Sequence, residues 1–207
     1  MGQLKAFSLL LIVINVIFFG IQIAVPGFTE EFVLRTAEVS FKPWTVITSM
    51  FLHGDLQHLF YNMFALGLFG FILENIVGTK KFLIAYFAAG IAAGVGSIFF
   101  YQAVLGASGA IMGIQGYLAA RKPTMMMYVF GVPMPMFVAV ILWAGFNFVG
   151  LFFPAGIAFA SHLIGLGFGI LFGLIVHGIP KRTKKIKNDY PSDKELDVWE
   201  QKYMIQG

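Results

Sequence analysis

Cysteine is absent from the 207 residues, which excludes disulfide staples, thiolate metal ligands and thiol nucleophiles. Charge is scarce as well. Asp, Glu, Lys and Arg make up 12% of the chain against 58% hydrophobic residues, and mean hydropathy is +0.83. A water-facing surface cannot be covered with so few charges, so the composition excludes a soluble domain. The net charge of +4 is no nucleic-acid signature, because most basic residues sit beside apolar segments, where they orient a chain in a bilayer.

What is present is a succession of long apolar runs. A hydrocarbon core of about 30 Å needs about 20 helical residues. The runs read as spans over Phe7–Val25, Leu56–Val77, Phe82–Tyr101, Ser108–Ala120, Pro135–Phe153 and Gly156–His177. Lys5 precedes the first, which is too long for a signal core and has no small-residue cleavage site after it, so it reads as an anchor. Lys5, Lys80, Lys81, Arg121, Lys122, Lys181, Arg182, Lys184, Lys185 and Lys187 fall on one side, and Arg35 and Lys42 on the other among Glu30, Glu31 and Glu38. The positive-inside rule then places both termini in the cytoplasm, with an even number of spans. The expected architecture is an all-α, six-span polytopic membrane domain over 1–178, followed by a charged tail over 179–207. In that tail Asp193–Tyr203 suits a short helix. Pro26 to Thr48 forms a long outer loop with Phe32, Phe41 and Trp44, expected partly in the interface. Lys122 to Pro135 carries Pro123, Gly131, Pro133 and Pro135 and reads as a turn-rich connector.

Segment lengths also assign depth. Ser108–Ala120 covers roughly 20 Å of helix and ends at the inner face, marked by Arg121 and Lys122. Its start therefore lies about 10 Å below the outer surface. The connection from Tyr101 must dip to reach it, which is tolerated only where backbone is buried in protein or lines a wet cavity. His162 lies roughly 9 Å along an inward-running sixth span that begins at Gly156. His58 lies near the outer end of the second span with Asn62 one turn deeper on the same face. Gly109, Gly113 and Gly116 can meet Gly165, Gly169 and Gly173, letting the fourth and sixth helices approach closely.

A serine hydroxyl becomes a useful nucleophile when an adjacent base takes its proton, and histidine is the usual base. Ser108 and His162 suit those roles as a dyad, since no carboxylate joins them: Glu74 is far away and Asp55 is at the rim. The His58 and Asn62 side chains and the Ser108 amide at a helix N-terminus can donate to an oxyanion. Blander readings compete. A membrane serine often bonds its own helix carbonyl, glycines often only pack helices, and Ser161 and His177 read as structural. His53, His58 and His162 form a candidate metal trio that lacks any acidic or cysteine ligand. Gly106-Ala107-Ser108-Gly109-Ala110 is not the soluble-hydrolase elbow, which needs a preceding strand and a glycine where Ala110 stands.

Three ordered motifs resemble the rhomboid family of intramembrane serine proteases. They are His58-x-x-x-Asn62, Gly106-Ala107-Ser108-Gly109, and His162-x-x-Gly165-x-x-x-Gly169, and the approach Phe51–Leu59 is similar too. The resemblance implies Ser108 as nucleophile and His162 as general base, with His58, Asn62 and the Ser108 amide as oxyanion hole. It implies no cofactor or metal. Its substrates would be single-span membrane proteins, cleaved near the outer face at small residues in helix-destabilised segments. Trp143, Phe146 and Phe148 on the fifth span would form a lateral gate, and Glu74 and Gly78 would be structural. Two departures stand out: Thr45 follows Trp44 where arginine is common, and Met112 stands one turn after the serine where an aromatic is common. A thioether can still fill that space against a ring.

Two rival functions are a non-catalytic relative that binds membrane proteins, and a small transporter. The first type usually lacks the serine or histidine, and both are present. The second predicts polar residues continuing toward the inner face, which the spans scarcely supply. The expected location is a prokaryotic plasma membrane, with no nucleic-acid partner.

Overall fold

A computed structural model of the chain describes residues 7–129, 131–153 and 156–177, together with Val198 and Lys202. The helix expected at Asp193–Tyr203 falls outside the described residues apart from those last two.

Helix α1 spans Phe7–Ala24. A left-handed turn at Gly27 (φ 83°) leads into a short α2, Phe28–Phe32. The two-residue strand β1 (Leu34–Arg35), the one-turn helix α3 (Thr45–Thr48) and a tight turn at Ser49–Phe51 complete the outer loop. The second apolar run then folds as α4 (Leu56–Ala65), a π-helical turn (Leu66–Gly70) and α5 (Phe71–Val77), one continuous helix of 22 residues. Asp55 starts it by accepting from the His58 amide at 2.7 Å, one of the donors a helix N-terminus leaves free. Gly78 (φ 87°) reverses the chain directly into α6, Thr79–Ser97.

Strand β2 (Ala103–Val104) pairs antiparallel with β1, and α7 follows over Ser108–Arg121. The connector beyond it is a β-hairpin, β3 (Met126–Val129) with β4 (Val132–Pro135), and not the irregular run of turns its prolines suggested. Pro133 and Pro135 lie on β4, one strand of a two-stranded hairpin, where a missing N–H is tolerated. Helices α8 (Met136–Gly150) and α9 (Phe159–His177) complete the bundle.

Several helix ends differ from the apolar runs. The third run begins at Thr79, because Gly78 alone makes the turn, and stops at Ser97, where the chain turns back toward the outer loop. The fifth stops at Gly150. The sixth starts at Phe159, three residues after a left-handed Gly156 (φ 66°), so His162 stands in its first turn and not six residues along.

Glu74 joins three elements at the opposite end of the bundle. Its carboxylate accepts from the amides of Phe7 (3.2 Å) and Ser8 (3.0 Å) at the α1 N-terminus and from Thr79 Oγ1 (2.8 Å) at the start of α6. A negative group among free amides complements the positive end of the helix dipole there.

Three of the described helices are long and apolar enough to cross a membrane by length and composition: Phe7–Ala24, Leu56–Val77 and Phe159–Val176. Met136–Gly150 is a shorter apolar helix. The architecture is a mostly helical polytopic membrane bundle. α7 lies at its centre, with every residue from Gly109 to Ala120 buried. Such a helix shows no amphipathic stripe because it has no exposed face. Glycine lets α9 lie directly on it. A Cβ at Gly165 would strike the Gly109 carbonyl, and one at Gly169 the Gly113 carbonyl. Gly116 and Gly173 also lie in this contact: Gly116 packs on Leu166 and Ile170, and Gly173 on Tyr117 and Ala120.

Candidate active site

The descent from Tyr101 to Ser108 is irregular backbone, and the outer loop supplies its partners. Thr36 donates its amide to Gln102 O (2.9 Å) and its hydroxyl to Tyr101 O (2.6 Å), β1 pairs with β2, and the Gly106 amide donates to Ser49 O (2.9 Å). These bonds satisfy polar backbone groups that lipid could not. Gly106 takes φ 118°, and a Cβ there would sit 2.8 Å from His58 Nε2 and 3.8 Å from Ser108 Oγ. Glycine is therefore required both by conformation and by the approach of the histidine.

Ser108 is the first residue of α7, so its amide has no intrahelical acceptor. Its Oγ lies 2.7 Å from His162 Nε2 on α9. His58 accepts from the Gly54 amide through Nδ1 (3.3 Å), which leaves Nε2–H as the free donor, facing Gly106. Asn62 is buried and donates to His58 O at 2.8 Å, leaving its second amide hydrogen uncommitted. These groups open on one cavity of about 1220 Å³, lined by Ser108, His162, His58 and Asn62, with Met112 and Gln115 one and two turns below the serine. All four expected site residues thus share one volume.

The candidate metal trio does not converge. The His53 ring packs edge-on against His58 (centroids 5.1 Å apart), and His162 is engaged with Ser108. Among the described residues no three His, Cys, Asp or Glu side chains could hold one ion.

The family model for the Rhomboid domain matches residues 40–179, which include every residue of this site. The chain belongs to the rhomboid family. Among curated rhomboids it is 30% identical over 174 residues to Rhomboid protein 1, mitochondrial, of Saccharomyces cerevisiae, covering 74% of this chain and 50% of that protein. It is 34% identical over 143 residues to Rhomboid protease GluP of Bacillus subtilis, covering 67% of this chain and 27% of that protein. It is 26% identical over 141 residues to Rhomboid protease GlpG of Haemophilus influenzae, covering 68% of this chain and 73% of that protein. The chain spans half or less of the length of the first two of these rhomboids.

Two residues of this rhomboid site escaped the sequence analysis. Asn147 on α8 is buried, and its Oδ1 lies 2.7 Å from His162 Nδ1. Gln115 is buried on the cavity floor with Oε1 unpartnered. Each is a lone amide in apolar sequence, and that isolation was the available signal. His162 has Phe159 as an edge-on aromatic neighbour (6.4 Å), one turn back on its own helix. The gate residues expected on α8 divide: Phe146 and Phe148 are exposed, whereas Trp143 packs edge-to-face on Phe69 (5.4 Å, 89°).

Proposed function

We propose that this chain is an intramembrane serine endopeptidase that cleaves single-span membrane proteins near the outer face, through a Ser108–His162 dyad. The observation that carries the reading is the 2.7 Å contact between Ser108 Oγ and His162 Nε2 at the wall of a cavity that His58 also lines. Ser108 Oγ bonds to the scissile carbonyl carbon as its proton passes to His162 Nε2. The carbonyl oxygen takes the negative charge, met by the Ser108 amide, His58 Nε2–H and the Asn62 amide. Collapse breaks the C–N bond, and the leaving amine takes the proton from His162. Water then attacks the acyl-serine, giving its proton to His162, and releases the carboxylic acid with Ser108 restored.

The reading needs no metal or cofactor. Six spans, with both termini on the positive, cytoplasmic side of a prokaryotic plasma membrane, fit the distribution of Lys and Arg. The exposed aromatic edge of α8, Phe146 and Phe148, suits a lateral gate for a substrate helix arriving from lipid.

Full-length protein reconstituted in liposomes is expected to cleave a single-span substrate, and Ser108→Ala or His162→Ala to abolish it. Asn62→Ala is expected to lower kcat with KM little changed. Cleavage by Ser108→Ala at the wild-type rate would overturn the assignment.

A further inference from the structure

We propose that Asn147 is a positioning residue that holds the His162 ring in the one tautomer able to take the Ser108 proton. The inference rests on the Ser108–His162 reading and adds a third, neutral member from a separate helix. The amide's orientation follows from its own bonds. Asn147 Nδ2 donates to Trp143 O at 2.8 Å, one turn back on α8, which turns Oδ1 toward His162 Nδ1 at 2.7 Å. A flipped amide would set Oδ1 against the Trp143 carbonyl, two acceptors with no proton between them.

An amide oxygen only accepts, so His162 Nδ1 must carry the proton and donate it. Nε2 is then left with its lone pair facing Ser108 Oγ at 2.7 Å. The opposite tautomer would put two lone pairs face to face at Nδ1 and leave Nε2 unable to act as base. When the ring becomes imidazolium in the reaction, the same Oδ1 faces the proton on Nδ1.

The choice of amide over carboxylate fits the surroundings. Asn147 and Ser161, beside the histidine, are buried, and an uncompensated carboxylate there carries a large desolvation cost. The amide orients the ring without that cost. Its support reaches beyond α8. The carbonyl that fixes the amide belongs to Trp143, whose ring is seated on Phe69 in the π-helical turn of the second span. Phe159 stands edge-on to the ring, and the hydrogen bond to Asn147 restrains the ring's rotation. Met112, not an aromatic, stands one turn after the serine, and this bond is the polar contact that holds the base from the side away from Ser108.

The test uses the full chain in detergent micelles with a single-span substrate. Asn147→Ala is expected to lower kcat roughly 10- to 100-fold with KM within about twofold, as for loss of a partner that orients a histidine. Asn147→Asp, nearly isosteric and buried as the neutral acid, can donate its hydroxyl to Trp143 O and accept from His162 Nδ1, so it is expected to recover most of that loss. Nitrogen-15 NMR of the imidazoles, with His162 assigned by its absence in His162→Gln, is expected to show Nδ1 protonated in the wild type and mixed tautomers in Asn147→Ala. Wild-type turnover in Asn147→Ala would overturn the proposal. So would equal losses in both variants with Nδ1 still protonated, which is what a purely structural role predicts. The tautomer is read on unreacted protein. An inactive wild type with a fixed tautomer would therefore sink the protease reading while leaving the role of Asn147 standing.

Discussion

Gly165→Ala tests the packing that brings the two halves of the site together. A Cβ on Gly165 would lie 2.9 Å from the Gly109 carbonyl carbon and 3.3 Å from its Cα, with the carbonyl oxygen closer than either. Ordinary contact begins near 3.4 Å, so the carbon alone demands a separation of about 0.5 Å, and the oxygen demands more. Both sides of this contact are backbone, so no rotamer change relieves it; α7 and α9 must part. Ser108 precedes Gly109, and His162 lies one turn before Gly165, so the parting acts on their 2.7 Å hydrogen bond. Adding about 1 Å takes that bond past useful length, and a misplacement of that size costs on the order of 100-fold in rate. Overpacking is expected to cost about 1–3 kcal/mol of stability. Cleavage kinetics in liposomes and reversible unfolding in mixed micelles read the two effects. Gly167→Ala, on the same helix, is the control, since a Cβ there meets nothing within 4 Å beyond the helix's own backbone. It is expected to stay within about 0.5 kcal/mol of wild type and to cleave normally. Wild-type turnover and stability in Gly165→Ala would refute the helix contact as the device that assembles the site.

Two further outcomes are expected. Glu74→Ala, which removes the acceptor for the Phe7 and Ser8 amides and Thr79 Oγ1, should destabilise the bundle by about 2–3 kcal/mol in micelle unfolding, with kcat of the folded fraction unchanged. His53, in the loop before α4, is held neutral by burial, with His58 adding to the effect, so its pKa falls to about 4. The unfolded ring titrates near 6.5, so the unfolded chain binds the extra proton first. The stability tied to this ring is complete above about pH 6.5 and is lost as pH falls toward 4, by on the order of 3 kcal/mol. His53→Phe should flatten that part of the acid stability curve; an unchanged curve would contradict it.

Run length carried the positions of the apolar helices, because crossing hydrocarbon needs a long apolar segment, and three of the described helices meet that need by length and composition. The same logic reached Ser108, His162, His58 and Asn62, polar groups that stand out against an apolar background. Features set by contact between distant segments were not legible. The hairpin over Met126–Pro135 depends on cross-strand pairing that prolines disguise. The late start of α9 depends on the turn at Gly156 and on the Ala160 amide donating to Tyr101 Oη (2.9 Å). The glycines place the contact of the two helices, but that Gly173 faces Tyr117 and Ala120 is a matter of register that spacing leaves open. Asn147 carries no charge to mark it in an apolar span, although an amide acceptor orients a ring by the same geometry as a carboxylate.

The central claim is that Ser108 is a nucleophile activated inside the bundle by His162. The most direct measurement is labelling of the reconstituted protein with a fluorophosphonate, followed by mass spectrometry of the modified peptide, with and without competing transmembrane substrate. The account predicts one adduct, on Ser108, that substrate suppresses and that His162→Ala loses. A substrate-competed adduct on another residue, or labelling of Ser108 that proceeds equally fast in His162→Ala, would contradict it.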